Sequence, residues 1–429
     1  MRIASFDWDG RGPGALAAEI RALQPTLGEV GETVAEIIGK VRSDGDRGVA
    51  EIEAQVGGGQ LQPGETRIDE GAIRSAAARL APTLVAALET AAANIRAVAE
   101  AQLTDPRRLT LEQGQSVDLR EVPVGSAGIY APGGVAAYPS TVLMGCIPAK
   151  VAGVERVALA TPAGDGDEPV SDLVLAAAGI AGVDEVFAIG GAQAIAALAI
   201  GTETLVPVDV VAGPGNRYVQ EAKRQLVGEV GIDGIAGPSE LMVIAGDTAT
   251  AEWIGLDLCA QAEHGSDGLL VAAAVETVIL DRIEEEVARI AEEGGIAEDA
   301  ALALVAVPDT ATAIGLANAI APEHLEILTE DAELLARGVS TAGCVFLGDG
   351  GATAFGDYAA GSNHILPTGG AGRFQGPLGP GVFRRRLSIV NLSQPAAWEL
   401  VPAVGTLARA EGFPLHAESA EARAGDEGR

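Results

Sequence analysis

Lysine is the scarcest charged residue in this sequence: three (Lys40, Lys150 and Lys223) in 429 residues. With 28 Lys and Arg against 60 Asp and Glu, the formal net charge is −32. A chain this acidic repels phosphate backbones and anionic lipid, so nucleic acid and membrane surfaces are excluded as natural partners. Cysteine is equally sparse, with Cys146, Cys259 and Cys344 an odd number without CxxC spacing. That excludes a disulfide framework and points to a reducing compartment, with the three thiols read as packing residues. No run of about 18 uncharged apolar residues is present to span a membrane. The opening MRIASFDWDGRG has no apolar stretch of the secretory type, and a cytoplasmic protein is expected.

What is present is a globular, alanine-rich chain, 48% apolar and long enough for about three domains. Strand and helix patterns alternate, which predicts an α/β fold. VERVALATP, DEVFAIGG and VDVVAGPGN read as strands running into helices, with Ser171 and Asn216 at helix starts. LMVIAG and LEIL read as later strands. Residues 1–28 read as an arm, and residues from 382 onward as a small helical appendage. Residues 348–381 are so rich in glycine that they read as one long functional loop.

The four histidines lie outside the apolar periodic runs, in QAEHG, APEHLE, GSNHILP and EGFPLH. Gln261 and His264 sit three apart at the end of a helix expected over residues 247–264, where one face and the carbonyl end both favour a cation. Asp357 is a candidate third ligand and His416 a candidate fourth. Such a nitrogen and oxygen set suits Zn²⁺, and also Mn²⁺ or Co²⁺; a polar surface helix end is the simpler alternative. Glu323 and His324 follow Pro322, which disfavours helix at Ala321. They form an acid/base pair if one turn presents both to a cleft; a straight strand would point them apart. Gly-rich turns at GIYAPGG, AIGGAQA, VAGPGNRYV and GIAGPSE fit phosphate held at strand ends, or are tight turns that need glycine. None completes GxGxxG. The looser match of Gly10, Gly12 and Ala15 contains Pro13 and is a weak candidate.

Taken together, GIYAPGGVAAYPSTVLMGCIPAKVAGV, GGAQAIAALAIGT, GPGNRYVQEAKRQL, GIAGPSE, DLCAQAEHG, APEHLEIL, GDYAAGSNHILPTGGAGRF and AEGFPLHAE resemble the histidinol dehydrogenase family over about residues 30–420. The resemblance implies NAD-dependent oxidation of L-histidinol to L-histidine through bound L-histidinal, the last steps of histidine biosynthesis, with one Zn²⁺ per subunit. It implies Gln261, His264, Asp357 and His416 as zinc ligands and Glu323 and His324 as general bases. Ser239, His364 and Glu411 are implied to contact substrate together with His324 and the metal ligands, and Tyr130, Gln193 and Asn216 to contact NAD. It also implies a homodimer with shared sites and two incomplete Rossmann-like domains. The expected division is an N-terminal arm (1–28), a discontinuous α/β domain carrying zinc and the bases (29–130 and 239–381), an NAD-binding domain (131–238) and a C-terminal extension reaching the partner subunit (382–429). A relative oxidising another primary alcohol, such as a sulfonated diol, is the alternative within the family. A metal-dependent hydrolase would turn over without reducing NAD⁺, and a binding protein would not turn over at all.

Overall fold

The computed structural model describes residues 1–25, 28–56, 62–133, 137–164, 169–265, 267–294 and 300–423. Its strands are β1 (Arg2–Asp7), β2 (Arg107–Thr110), β3 (Ser116–Pro123), β4 (Ser126–Tyr130), β5 (Arg156–Thr161), β6 (Glu185–Ala188) and β7 (Val210–Ala212). They continue with β8 (Gly231–Ile232), β9 (Glu240–Ala245), β10 (Leu269–Ala274), β11 (Ala301–Ala306), β12 (His324–Leu328), β13 (Cys344–Leu347) and β14 (Arg384–Asn391). The chain falls into two compact units. Residues 1–102 with 124–383 form the first, and residues 103–123 with 384–429 the second.

The first unit holds two parallel sheets. One has five strands in the order β6-β5-β4-β7-β8, the other six in the order β1-β11-β10-β9-β12-β13. Strands such as ELMVIA, LLVAAA and ALALVA are buried on both faces, as parallel strands between helices must be. This is the α/β architecture that the alternating pattern predicts, with the Rossmann-like sheets that the resemblance implies. The helix Asp172–Ala181 is capped by the Ser171 hydroxyl, which accepts the Val174 N–H, and ends on left-handed Gly182.

Residues 1–28 hold an extended piece and a helix: β1 pairs in parallel with β11 along all six of its residues, and the helix Pro13–Arg21 packs beside it. Two segments differ from the sequence reading. Residues 348–381 are not one loop. They contain the helix Thr353–Tyr358 and a 3-10 turn over Ala371–Arg373. The C-terminal appendage begins with a strand, because β14 pairs antiparallel with β3 over eight residues, and β3 pairs with β2. Almost every side chain of β14 is exposed, so no apolar alternation marked it as a strand. Two helices, Gln394–Ala410 and Pro414–Glu421, complete this second unit and are joined by the Arg409–Glu421 ion pair at 2.6 Å. Among the described residues no helix is long and apolar enough to cross a membrane.

The end of β7 depends on one glycine. Gly213 has φ +128°, and a Cβ there would collide with the Tyr130 carbonyl oxygen. Its N–H donates to Asp233 and its carbonyl accepts from buried Lys223, and those two side chains pair at 2.5 Å. Gly213→Ala is therefore expected to destabilise the protein by about 2 kcal/mol or more, from strain and overpacking together. A urea or guanidinium titration beside the wild type checks this.

Candidate active site

The acid/base pair is built where β12 begins beside β9. Ala321 ends the helix Thr310–Ile320 at φ 49°, ψ 62°, and is the one non-glycine residue with positive φ among the described residues. The chain then turns sharply through Pro322 into the sheet, and both side chains are anchored on Glu240. Glu323 Oε2 accepts the Glu240 N–H at 2.9 Å. His324 Nδ1 lies 3.3 Å from the Glu240 carbonyl oxygen, which can only accept, so Nδ1 carries a proton. The carboxylate and the ring come within 3.7 Å. The turn, rather than a straight strand, thus brings adjacent residues together.

Both groups are buried. Burial pushes Glu323 up to about 7, against the attraction of His324 and the Glu240 N–H. Burial alone would lower His324, but Glu323 and Asp357 outweigh it and the ring rises to about 9. On the other side of the ring, Nε2 lies 3.5 Å from Asp357 Oδ1.

Asp357 sits near the end of the helix Thr353–Tyr358. Burial would raise its carboxyl, yet His324, His364 and His264 together hold it below the usual carboxylate range. His364 is pinned on both nitrogens. Its Nδ1 donates to the Asp357 carbonyl oxygen at 3.0 Å, and its Nε2 therefore accepts from the Thr141 hydroxyl at 3.1 Å. Shielding from water pushes this ring down to about 4. Gln261 is buried at the end of the helix Ala251–Ala262, and its amide makes no hydrogen bond among the described residues. His264 is exposed, one residue beyond the helix cap, with its N–H still bonded to the Gln261 carbonyl. The helix is shorter at both ends than the expected 247–264. It starts after Thr250, which makes no side-chain cap.

Tyr130, Gln193 and Asn216 lie at the carboxyl ends of β4, β6 and β7, where open parallel sheets present ligand loops. β4 and β7 are neighbours from which the strand order runs in opposite directions, so this is a topological switch point. The buried Tyr130 hydroxyl accepts the Gly191 N–H at 3.1 Å, and burial pushes it up to about 12. Asn216 caps the helix Arg217–Leu226 by accepting the Tyr218 and Val219 N–H groups. The GIYAPGG turn runs to Gly134, which lies outside the described residues.

Ser239 immediately precedes β9. Glu411 and His416 belong to the second unit. There Glu411 closes the helix Gln394–Ala410 and the His416 ring lies 5.4 Å from that of Phe413; both residues are exposed. No group of three or more His, Cys, Asp and Glu side chains arranged for a metal occurs among the described residues. The three thiols are all free and raised by burial, the opposite of a nucleophile's requirement.

The histidinol dehydrogenase family model matches residues 22–424. This chain belongs to the histidinol dehydrogenase family. The histidinol dehydrogenase of Pseudomonas aeruginosa is 43% identical over 405 residues, covering 93% of this chain and 92% of that protein. The histidinol dehydrogenase of Rhizobium meliloti is 41% identical over 408 residues, covering 93% and 94%. A crystal structure of histidinol dehydrogenase from Elizabethkingia anophelis superposes with a TM-score of 0.91 at 28% identity, over 99% of this chain and 98% of that one.

Within this histidinol dehydrogenase fold, the sequence reading missed three groups that hold the site. Arg21, from the supposed arm, pairs with buried Glu240 at 2.7 Å. Glu240 Oε1 also accepts the Gly369 N–H. Glu53, on the helix Gly31–Val56, is buried and accepts both the Gly190 N–H at 2.8 Å and the Gln193 amide at 2.7 Å. Neither Arg21 nor Glu53 lies in a segment that carried the resemblance, and nothing local in sequence marks them. Glu53→Ala leaves two buried donors without an acceptor. A loss of about 1–3 kcal/mol in unfolding free energy is expected by chemical denaturation.

Proposed function

We propose that this protein oxidises L-histidinol to L-histidine in two steps through bound L-histidinal: one histidinol, one water and two NAD⁺ give histidine, two NADH and three protons. Family membership across nearly the whole chain supports the substrate. The single structural observation that carries the chemistry is the buried Glu323–His324 pair, both members held by the Glu240 peptide groups. A sulfonated diol is not favoured, since the relatives from Pseudomonas aeruginosa and Rhizobium meliloti are both histidinol dehydrogenases.

The residues present fit a Zn²⁺ ion. Gln261 offers a buried amide with no hydrogen-bond partner among the described residues, Asp357 a carboxylate held ionised, and His264 an imidazole close enough to act on Asp357. One chain's first unit thus offers three of the four expected donors. In our reading His416 from a second copy of the chain is the fourth, and Glu411 from that copy contacts substrate. The C-terminal extension (382–429) would then reach a partner in a homodimer. We assign the NAD-binding region to residues 131–238, with Tyr130, Gln193 and Asn216 at its contact points, and the metal and bases to 29–130 with 239–381. The enzyme is read as cytoplasmic.

Bound NAD⁺ supplies the hydride acceptor for both oxidations, and bound Zn²⁺ supplies electrostatic anchorage for the substrate's nitrogens. His324, with its Nδ1 proton tied to the Glu240 carbonyl, has the Nε2 lone pair of its neutral form ready to take the alcohol proton. After His324 has passed the alcohol proton to solvent, Glu323 in its ionised form takes a proton from the water that attacks the bound aldehyde, and the again-neutral His324 takes the hydroxyl proton of the resulting hydrate as the second hydride leaves. Ser239 and His364 line the substrate side. Holding the reacting groups together accounts for several kcal/mol of the barrier.

Two NADH should form per histidinol consumed, and the signal should collapse when a chelator strips the metal; absorbance at 340 nm reads both. Glu323 must lose its proton to act, and its carboxyl is raised to about 7. Oxidation of histidinal should therefore fall about tenfold per unit as the pH drops below about 7. Glu323→Gln should lower this half-reaction by about two orders of magnitude or more while sparing much of the alcohol half-reaction.

Shared sites make a separate expectation. Inactive His264→Ala and His416→Ala chains, mixed and allowed to exchange, should recover activity, because each mixed dimer keeps one site with all four donors. No recovery after verified exchange would count against the crossing extension.

A further inference from the structure

Glu326 is fully buried in β12, two residues beyond His324, and so lies on the same face of the strand. Leu325 and Ile327 face the other way, into the apolar cluster with the helix Thr310–Ile320. One carboxylate oxygen, Oε1, accepts the N–H of Thr353 at 2.9 Å. Thr353 opens the short helix that carries Asp357 four residues later. The other oxygen, Oε2, is buried with no hydrogen-bond partner among the described residues. Asp257 acts on Glu326 from the helix Ala251–Ala262, one turn before Gln261 and on the same face. The helix, the strand and the short helix that meet around Glu326 are thus those that carry Gln261, His324 and Asp357.

A buried carboxylate with an orphaned oxygen is a poor choice for packing alone, since a leucine of similar size would fill the space without desolvating a charge. We propose that Glu326 is a positioning residue for the metal site, fixing the Asp357 helix to the His324 strand through Thr353. The proposal rests on the zinc reading given under Proposed function. Burial and the nearby Asp257 both raise the Glu326 carboxyl.

The test is the Zn²⁺ dissociation constant of the full chain, measured by chelator competition, with a thermal melt in excess chelator to confirm folding. E326L removes the acceptor. T353P removes the donor at the first helical position, where proline is well tolerated, and Ala352 before it is already extended (φ −69°, ψ 140°). Each should weaken Zn²⁺ binding about tenfold or more, the scale of lost support behind a metal ligand. The double variant should be no weaker than the worse single one. E326Q keeps an acceptor oxygen and should stay within about threefold of wild type, as should T353A, which keeps the N–H. Wild-type affinity in both E326L and T353P, multiplying losses in the double variant, or an E326Q as weak as E326L would overturn the proposal. Should E326L fail to fold, T353P against T353A decides alone. A wild-type chain that binds no Zn²⁺ sinks the zinc reading itself, and Glu326's role with it; binding that no variant alters sinks Glu326's role only.

Discussion

One residue, Glu240, sets the geometry on which the Glu323–His324 pair depends. Its N–H fixes the Glu323 carboxylate, its carbonyl fixes the His324 ring, and its own carboxylate is held by Arg21 and the Gly369 N–H. Because β9 and β12 are parallel, with His324 opposite Leu241, both contacts follow from strand register. A slip of one residue would turn His324 to the other face and take both side chains off the Glu240 peptide groups. The Arg21–Glu240 pair is the weak point of this arrangement. Removing one partner of such a buried pair typically costs about 3–5 kcal/mol, because the other charge is left unpaired.

The two parallel sheets contribute opposite ends. The five-stranded sheet offers the carboxyl ends of β4, β6 and β7, the usual place for a nucleotide. The six-stranded sheet offers the amino ends of β9 and β12, where oriented backbone groups grip side chains instead. The junction runs through the helix Pro139–Val151. Its Thr141 hydroxyl meets His364, and the Met144 carbonyl accepts from Asn363. His364 therefore ties the Asp357 helix to the helix that follows β4, and its low basicity keeps it neutral in that role. Both ring nitrogens are committed within the chain, so a contact with substrate has to come through the ring's edge or by displacing Thr141.

Much of this was legible in sequence, for identifiable reasons. Buried parallel strands leave near-continuous apolar runs, and helix caps leave Ser171 and Asn216. Scarce histidines stand out against an alanine-rich background. What stayed hidden depends on contacts distant in the chain. β1 pairs across some 300 residues, and Arg21 finds Glu240 only because that pairing brings its helix to the sheet. β14 is exposed and carries no period. Glu326 sits inside LEIL, which reads correctly as a strand, but nothing local shows that its carboxyl is buried. Glu53 occupies a helix position whose partners, Gly190 and Gln193, are about 140 residues away.

The site is crowded with acid, and its charge balance explains its parts. Glu240 is paired with Arg21, while Glu326 and Asp257 are both raised by burial. Glu323 and Asp357 are left to share His324, which is why that ring is pushed up to about 9. A histidine so strongly held as a cation is a poor base near neutral pH. With Asp357 committed to a divalent cation, as proposed, the ring loses one of the two carboxylates that raise it and gains a positive neighbour, and both changes favour its neutral form. Metal binding and base activation are then one electrostatic event. On that proposal, the residues that place Asp357 act on the chemistry without touching the substrate.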